Sequence, residues 1–410
     1  MQNNKIAEFI SSRRKDLGFT QQQVAEHLHI SFQAVSKWES GKTLPNTELL
    51  TALSELLCVS VDELLSGECH KTERLTYSKS GIDITYTDSI KKDMAQYLNS
   101  SDSRVLNGLG AFASLYDIKF DDISEPVLVM KAEEPGSKQK LAMRYGYMES
   151  ICHDMINHLV NDIIVMGAKP LAVLDTIICG KAEKDTINAI VKGISDACNN
   201  NECSLVGGET SIQPNVIGDG TYVLTSSICG IADKKNIIDG SKICSGDAVI
   251  AIASNGLHTN GYSLVRMLMN DSPEIKTETF IEAIMKPHTA YYHALKDILN
   301  KNIISGLAHI TGGGIAGNLC RIIPAGLCAL VNLKKVDVLP IFSLIKSKGN
   351  ISDTEMLSTF NCGVGMIAIV PQKYKQAFIN HISKFYNCYE IGTIVENETK
   401  VELTGELKWC

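Results

Sequence analysis

The chain has 410 residues, of which 44% are hydrophobic and 21% are charged, a composition typical of a globular protein with more than one domain. We expect no membrane span because the apolar runs have the length of single strands, and the formal net charge of −7 excludes a broadly cationic surface for nucleic acid. The N-terminal residues lack the apolar segment of a signal peptide, and the 13 cysteines show neither disulfide nor metal-site spacing. These features predict a cytoplasmic protein with reduced thiols.

The first part of the chain, residues 1–66, carries only helical patterns, with apolar residues recurring three and four positions apart. Thr20 is a good N-cap for a second helix, and Ser31 opens a third helix after a short turn. A break that contains glycine and proline follows. Asn46 then caps a fourth predicted helix, and Gly67 ends a fifth.

The second and third predicted helices have the spacing of a helix-turn-helix. The residues that fill the wedge between two crossing helices are small or apolar: Ala25, Leu28, Val35 and Trp38. This pattern resembles the Cro/C1-type helix-turn-helix family, in which the second helix of the pair enters the major groove of DNA. The side chains then expected to reach DNA are Gln21, Ser31, Gln33, Ser36 and Lys37.

A second interpretation of this module is a helical bundle used only for dimerisation. Residues 1–66 contain six basic and eight acidic residues, which is not the charge balance of a basic DNA-binding surface. The prediction of DNA binding therefore depends on the motif and not on the charge.

The pattern of the chain changes after residues 67–76, which show little apolar periodicity and are predicted to be a linker. Short β-branched runs then alternate with helical segments, which indicates an α/β or α+β region. A glycine-containing break near Asp239 divides this region into lobes at 77–240 and 241–410. The predicted fold class is therefore multidomain, with an all-α helix-turn-helix bundle followed by a two-lobed α/β (α+β) domain.

Six short motifs in the two-lobed region contain the residue types that phosphoryl chemistry requires. Glycines let backbone N–H groups approach phosphate oxygens, carboxylates hold Mg²⁺ against a triphosphate, and histidine and amides position a polar substrate. Each motif alone is a common turn or helix end. The motifs are Asn107 to Gly110, Val160 to Asp162, Gly207 to Thr210, His258 to Ser263, Thr311 to Gly314 and Phe360 to Met366.

In this order and spacing, the motifs resemble the aminoimidazole ribonucleotide synthetase family, phosphoribosylformylglycinamidine cyclo-ligase, from about Tyr77 to near Glu402. The resemblance implies a homodimer joined through a β-barrel shared by two N-terminal lobes, with an α/β C-terminal lobe beside it. It also implies that ATP phosphorylates the formamide oxygen of formylglycinamidine ribonucleotide. An amidine-side nitrogen then closes the imidazole ring and phosphate leaves.

The resemblance further implies roles for individual residues of this chain, with catalysis resting on positioning and charge neutralisation. The implied catalytic residues are His258, Asn260 and Lys138, and the implied Mg²⁺ ligands are Glu133, Asp162 and Glu209. The implied ATP site contains those three carboxylates together with Asn107, Gly108, Gly110, Ser137, Lys138, Gly207, Gly208 and Thr210. The implied substrate site consists of Asn255, His258, Thr311, Gly312, Gly313, Gly314 and Asn361.

One segment departs from the family pattern. The family carries Thr-Asp-Gly-Val-Gly-Thr-Lys after the first long strand, whereas this chain has Ala-Glu-Glu-Pro-Gly-Ser-Lys at 132–138. Glu133 is one methylene longer than the aspartate, and Glu134 adds a negative charge near the expected triphosphate. Pro135 removes an N–H donor and restricts φ. Because Mg²⁺ demands tight octahedral geometry, the change bears directly on ATP binding.

Four interpretations of the large domain follow. It is a working cyclo-ligase with an added DNA-binding module, which the otherwise complete site favours, or a catalytically impaired regulator that senses a purine nucleotide or intermediate. A third possibility is another ATP-using member of the superfamily, such as a thiamine-phosphate kinase or selenophosphate synthetase, but the runs 258–263 and 360–366 argue against it. A fourth is a purely structural dimerisation domain, which would not need Asp162, Glu209 and His258.

Overall fold

The computed structural model describes residues 2–69, 76, 78–98, 101–108 and 111–409. The chain divides into two units, residues 1–76 and residues 77–410. Most of the predicted linker, residues 70–75, and the motif residue Gly110 lie outside the described residues. In the part of the chain that the structure describes, no helix is both long enough and apolar enough to cross a bilayer.

The N-terminal unit consists of the helices α1 (Gln2–Asp16), α2 (Gln21–His27), α3 (Phe32–Glu39), α4 (Thr47–Leu56) and α5 (Val61–Ser66). Thr20 caps α2 in a capping box, because its hydroxyl accepts from the Gln23 N–H and the Gln23 side chain accepts from the Thr20 N–H. Gly67 ends α5 in the left-handed conformation, at φ 68°. Ser31 and Asn46 precede α3 and α4 as predicted, but neither side chain makes a capping hydrogen bond.

The apolar faces of these helices meet in one core, formed by Ile6, Ile10, Val24, Ala25, Leu28, Val35, Trp38, Leu50, Leu53, Leu57 and Leu64. Beside this core, Arg14 of α1 donates from Nη2 to Glu39 Oε2 of α3 at 2.9 Å. Gln21 of α2 donates from Nε2 to the same oxygen at 2.7 Å. One largely buried carboxylate therefore ties three helices together, and its charge is compensated by the guanidinium of Arg14.

The second unit contains two sheets surrounded by helices. Its strands are β1 (Pro126–Glu133), β2 (Lys169–Cys179), β3 (Ser204–Ile212), β4 (Tyr222–Asp233), β5 (Ala248–Ala253), β6 (Gly306–His309), β7 (Leu327–Asn332), β8 (Val364–Val370), β9 (Cys388–Glu396) and β10 (Val401–Thr404). Its α-helices are α6 (Ile84–Met94), α7 (Lys138–Tyr145), α8 (Met148–Ile164), α9 (Lys184–Asn200), α10 (Tyr262–Asp271), α11 (Glu278–Met285), α12 (Tyr292–Leu295), α13 (Gly314–Leu319), α14 (Pro340–Gly349), α15 (Asp353–Thr359) and α16 (Lys375–Ile382). Short 3₁₀ turns lie at Ser78–Ser80, Lys234–Asn236, Pro273–Ile275, Leu299–Lys301, Leu333–Lys335 and Gln372–Tyr374. The predicted fold class is confirmed.

The strands divide between the sheets in chain order. Strands β1 to β4 form a sheet in the order β1-β4-β2-β3, and strands β5 to β10 form a sheet in the order β10-β7-β9-β5-β8-β6. In the first sheet, β2 and β3 are parallel and the other pairs are antiparallel. The chain passes from one sheet to the other through Gly240, which has φ 83°. This passage coincides with the break predicted near Asp239.

Helix α8 connects the two lobes through hydrogen bonds. The helix is buried along most of its length, and polar residues lie among its apolar ones. Asp154 Oδ1 accepts from the His288 N–H at 2.7 Å. Asn157 Nδ2 donates to the His288 carbonyl at 2.6 Å, and Asn161 Nδ2 donates to the Thr289 carbonyl at 2.8 Å. These buried hydrogen bonds hold the chain that precedes α12 against α8, with little freedom to shift.

The two tryptophans of the chain lie one in each unit. Trp38 is buried in the core of the N-terminal unit. Trp409 is half-buried against the core of the second unit, and its indole N–H donates to Asp353 Oδ2 at 3.1 Å. The Lys346 ammonium lies 5.3 Å from the centre of the Trp409 ring.

Candidate functional site

Helix α3 presents three of the residues predicted to contact DNA. Gln33, Ser36 and Lys37 lie three and four positions apart, so they share one face of the helix. Gln33 and Lys37 are exposed and Ser36 is half-buried. Val35 and Trp38 occupy the buried face, which seats α3 on the core and turns the polar face outward.

The other two predicted DNA-contacting residues differ in their surroundings. Ser31 is exposed at the start of α3. Gln21 is half-buried, and its amide is already engaged with Glu39 Oε2 at 2.7 Å. A direct phosphate contact by the Gln21 side chain would therefore compete with an existing hydrogen bond, and this role stays a prediction.

In the second unit, two of the three carboxylates predicted to bind Mg²⁺ lie together. Lys131 Nζ is 3.1 Å from Glu133 Oε2 and 3.1 Å from Asp162 Oδ2. Burial alone would raise the pKa of Asp162, but the hydrogen bond with His309 and the nearby positive charge bring that pKa below its ordinary value. Asp162 is therefore ionised at neutral pH, and two carboxylates converge on one cation position. Such oxygens are the ligands that Mg²⁺ prefers.

Glu209, the third predicted ligand, lies elsewhere. In the first sheet, Glu133 pairs with Ser226, Ser226 with Asp175, and Asp175 with Gly208. Paired residues share a face of a sheet, and successive residues of a strand alternate between the two faces, so Glu209 points to the face opposite Glu133. Three strand spacings also separate the backbones of the two residues by about 14 Å. Within a single chain this register places Glu209 apart from Glu133 and Asp162, and a metal-binding role for Glu209 stays a prediction.

The glycine pair before Glu209 makes room for a buried carboxyl group. A Cβ atom on Gly208 would lie 1.8 Å from Asp175 Oδ1. Asp175 is 6% exposed, and burial raises its pKa to about 7. Gly207 and Thr210 flank this position on β3, where their contact with ATP stays a prediction.

Lys138, predicted to act in catalysis and ATP binding, is completely buried at the start of α7. Its Nζ donates to Asp154 Oδ1 at 2.9 Å and to the Lys286 carbonyl at 2.7 Å. Burial lowers the pKa of Lys138 and raises that of Asp154 to about 6. Because the ammonium is paired and sealed from solvent, the geometry favours a positioning role for Lys138 over direct contact with ATP.

The segment that departs from the family pattern forms a turn between β1 and α7. Glu134 is exposed, Pro135 is buried, and Gly136 has φ 64°, which glycine adopts without strain. Ser137 Oγ lies 3.5 Å from Ser263 Oγ. The altered turn therefore contacts the run predicted to hold the substrate.

The loop after β5 is fixed by two asparagines predicted to face the substrate. Asn361 Oδ1 accepts from Ser254 Oγ at 3.0 Å, and Asn361 Nδ2 donates to the Gly256 carbonyl at 2.9 Å. Asn255 is exposed and donates to the Pro287 carbonyl at 2.8 Å. Asn361 is 3% exposed, so its hydrogen bonds orient the loop. A direct substrate contact by either side chain stays a prediction.

The glycine-rich loop at 311–314 lies beside Asn260, another predicted site residue. A Cβ atom on Gly312 would lie 3.2 Å from Asn260 Oδ1. Asn318 Nδ2 donates to the Gly314 carbonyl at 2.8 Å, which holds the loop at the start of α13. The structure therefore brings Asn260 and the loop together, as a shared substrate site requires.

The predicted flexible loop near Asn107 is tied at one end. Asn107 Nδ2 donates to the Ala113 carbonyl at 2.7 Å, and its Oδ1 accepts from the Leu115 N–H at 2.7 Å. Gly108 is exposed, and nothing lies within 4 Å of the position of an added Cβ. The role of this loop over ATP stays a prediction.

Four histidines from four different elements meet beside Asp162. His158 lies on α8, His258 follows β5, His288 precedes α12 and His309 ends β6. The rings of His258 and His288 stack with centroids 3.9 Å apart. His288 Nε2 lies 2.9 Å from His309 Nε2, and His309 Nδ1 lies 2.7 Å from Asp162 Oδ1.

Three of the four histidines in the cluster are uncharged at neutral pH, and the cluster is tightly packed. Burial lowers the pKa of His258 and His288, and it lowers that of His158 to about 4. His258 has φ 62°, a left-handed conformation that costs a non-glycine residue roughly 1 kcal/mol or more. A Cβ atom on Gly365 would lie 1.8 Å from the Tyr291 hydroxyl and 2.8 Å from His258 Cε1, so only glycine fits against these rings.

Comparison with known proteins connects this geometry to a family. Residues 122–232 match the AIR synthase related protein, N-terminal domain, and residues 245–404 match its C-terminal domain. The phosphoribosylformylglycinamidine cyclo-ligase of Methylobacillus flagellatus is 39% identical over 302 residues, covering 72% of this chain and 87% of the relative. That of Streptococcus uberis is 36% identical over 341 residues, covering 80% and 98%. The chain belongs to the AIR synthase-related family.

This member of the AIR synthase-related family also carries a helix-turn-helix module, because residues 10–64 match a helix-turn-helix family. Both resemblances noted in the sequence are confirmed. Thiamine-monophosphate kinase from Stenotrophomonas maltophilia superposes with a TM-score of 0.57 at 16% identity, covering 80% of this chain and 98% of the kinase. E. coli HypE, a hydrogenase maturation protein, superposes with a TM-score of 0.57 at 14% identity, covering 78% and 94%. These distant structures share the fold alone.

Four polar residues that the structure places beside the predicted site residues were not singled out in the sequence: Lys131, His158, Asp175 and His288. None of them lies in one of the glycine-rich runs. The available signal was spacing, because Lys131 is two positions before Glu133 on a strand and His158 is one helical turn before Asp162.

Proposed function

We propose that this chain is an ATP-dependent cyclo-ligase that converts formylglycinamidine ribonucleotide to aminoimidazole ribonucleotide in purine biosynthesis, and that it works in the cytoplasm. The observation that supports this best is the convergence of the substrate-side runs, because Asn260 lies beside the loop 311–314 and His258 stacks in the cluster that reaches Asp162. The relatives named cyclo-ligases, at 36–39% identity, support the same reaction.

The proposed chemistry assigns separate tasks to two groups of side chains. Glu133 and Asp162 would hold Mg²⁺ in place of the Lys131 ammonium, on which their oxygens converge in this structure. The ion would neutralise the triphosphate of ATP, which supplies the phosphoryl group. His258 is neutral at pH 7 and its Nδ1 has no partner among the described residues, so it can accept a proton from the attacking nitrogen.

A turnover assay tests this proposal. Full-length protein with formylglycinamidine ribonucleotide, ATP and Mg²⁺ should form aminoimidazole ribonucleotide. His258→Asn should lower kcat by roughly 10²- to 10⁴-fold, the range of a lost general acid–base group. His293→Asn, which changes an exposed histidine outside the cluster, should turn over like the unmodified protein. No product with ATP or the ribonucleotide still bound in calorimetry would reject the enzyme.

A second candidate is a ligand-sensing transcriptional regulator that binds a purine nucleotide or intermediate without turnover. One observation favours it: the Lys131 ammonium lies 3.1 Å from both Glu133 and Asp162, where the metal of an active enzyme would compete with it. The exposed acid Glu134 adds charge against a triphosphate at the same turn. The turnover assay with calorimetry separates the two candidates.

We also propose that the N-terminal unit binds DNA through α3 and that the protein is a homodimer. The outward polar face of α3 supports DNA contact. The open face of the first sheet supports dimerisation, because Met130 on it is 74% exposed. The two proposals agree in symmetry, since a two-fold dimer suits a DNA site with two half-sites.

A further inference from the structure

We propose that His258, His288 and His309 form a binding site for a divalent transition-metal ion, with Zn²⁺ as the expected occupant. All three side chains belong to the second unit, and none is more than 5% exposed. One nitrogen of each ring lies within 4.8 Å of the other two. Imidazole nitrogen is a preferred zinc ligand, whereas Mg²⁺ prefers oxygen, so this site is distinct in kind from the carboxylate pair.

The spacing of two of the rings is already close to that of a metal site. His288 Nε2 and His309 Nε2 are 2.9 Å apart. In a tetrahedral zinc site with Zn–N bonds of about 2.0–2.1 Å, two ligand nitrogens lie about 3.3–3.4 Å apart. An increase of about 0.4–0.5 Å in the distance between these two nitrogens would therefore bring them to the spacing of zinc ligands, and small ring movements can supply that increase.

The carboxylate behind His309 orients that ring as a ligand. His309 donates from Nδ1 to Asp162 Oδ1 at 2.7 Å. This hydrogen bond leaves the lone pair on Nε2, the atom that faces His288. A carboxylate that accepts from the outer nitrogen is the usual partner of a zinc-bound histidine, and it raises the basicity of the ligand.

A ring nitrogen of the third histidine lacks a partner, which is an independent sign of a missing ligand. His258 Nδ1 is buried without a hydrogen-bond partner among the described residues. When His258 donates from Nε2 to Thr289 Oγ1, 3.2 Å away, the lone pair of that ring is on Nδ1. His258 is 1% exposed, so bulk water does not satisfy this nitrogen.

A cavity lies beside one histidine of the cluster. A cavity of about 570 Å³ is bordered by His288 and by the polar side chains Asn255, Asp337 and Asn387. Three protein ligands leave a fourth tetrahedral position for water. Because His258 is also the proposed proton acceptor, Zn²⁺ at this site would compete with turnover.

Metal titration of the full-length protein tests the site without any measurement of turnover. Protein stripped with a chelator and kept in Mg²⁺ is titrated with Co²⁺, whose visible absorption reports its ligands. We expect one equivalent to bind and Zn²⁺ to displace it. His288→Asn should weaken the affinity at least tenfold, and His293→Asn should leave it unchanged.

X-ray absorption of the zinc-loaded, unsubstituted protein makes the test independent of how the variants fold. Three imidazole nitrogens around zinc are expected. Absence of binding, a zinc shell of cysteine sulfur, or equal affinity in a folded His288→Asn variant would each overturn the proposal. Because binding is read directly, a failure of the proposed cyclo-ligase reaction leaves this result unaffected.

Discussion

Asp175 is a carboxyl group held in the first sheet with almost no access to water, and burial raises its pKa to about 7. An unfolded aspartate ionises near about pH 4. Between about pH 4 and about pH 7 the native state therefore holds one proton more than the unfolded state at this residue. The contribution of Asp175 to stability is fully present below that window and is lost as the pH rises through it.

Asp175→Asn mimics the protonated side chain and tests this linkage. At about pH 4 the variant should resemble the unmodified protein, and from about pH 4 to about pH 7 it should gain up to about 1.4 kcal/mol per pH unit relative to it. Urea unfolding of both proteins at four pH values, with chelator present, measures the difference. Asp219→Asn, at an exposed position, is the control for the effect of removing an aspartate charge that is not buried. A difference that stays constant from pH 5 to pH 8 would contradict the assignment.

At the level of elements, α3 is the part of the N-terminal unit suited to DNA recognition. Lys37→Ala should weaken binding to all duplexes alike and reduce the salt dependence by about one phosphate contact. Gln33→Ala should cost roughly 1–3 kcal/mol on the preferred sequence alone. Filter binding at several salt concentrations distinguishes these effects. Lys384→Ala and Gln376→Ala in the second unit are matched controls. Loss of DNA binding in these controls but not in the α3 variants would reject DNA recognition through α3.

Elements with a repeated local signal could be predicted from the sequence, whereas the site depends on contacts between elements. The N-cap at Thr20 and the helix end at Gly67 are local signals, and the structure has both where the sequence predicts them. The run 207–210 has the glycines of a turn but lies inside β3, where Gly208 leaves room for the Asp175 carboxyl group. The meeting of His158 with His288 depends on how α8 packs against a distant segment, which no sequence period encodes.

At the scale of the whole molecule, the first sheet has an open face on which large apolar side chains are exposed. Met130 and Leu128 on β1 and Leu174 on β2 are 74%, 47% and 47% exposed. They lie on the face that does not pack on α8. A contiguous apolar face of this kind is usually covered in a protein assembly. A second copy that covers it would complete the shared barrel expected for the family.

Met130→Lys places a charge in that proposed contact. We expect the dimer dissociation constant to rise at least tenfold, because a lysine ammonium would lose its hydration there without a partner. Size-exclusion chromatography with light scattering over a range of concentrations measures it. Met267→Lys changes another exposed methionine, on α10, and should leave the dimer intact. A monomeric unmodified protein, or a dimer insensitive to Met130→Lys, would exclude this interface.

The placement of one tryptophan in each unit makes intrinsic fluorescence a separate reporter for the two halves of the protein. Trp38→Phe leaves emission from Trp409 alone, beside the Lys346 ammonium and hydrogen-bonded to Asp353. Trp409→Phe leaves emission from the buried Trp38 alone. Unfolding of a chain with two units need not be two-state, and these single-tryptophan proteins would resolve the two transitions. They would also show, without an added dye, whether a nucleotide bound by one unit is detected by the other.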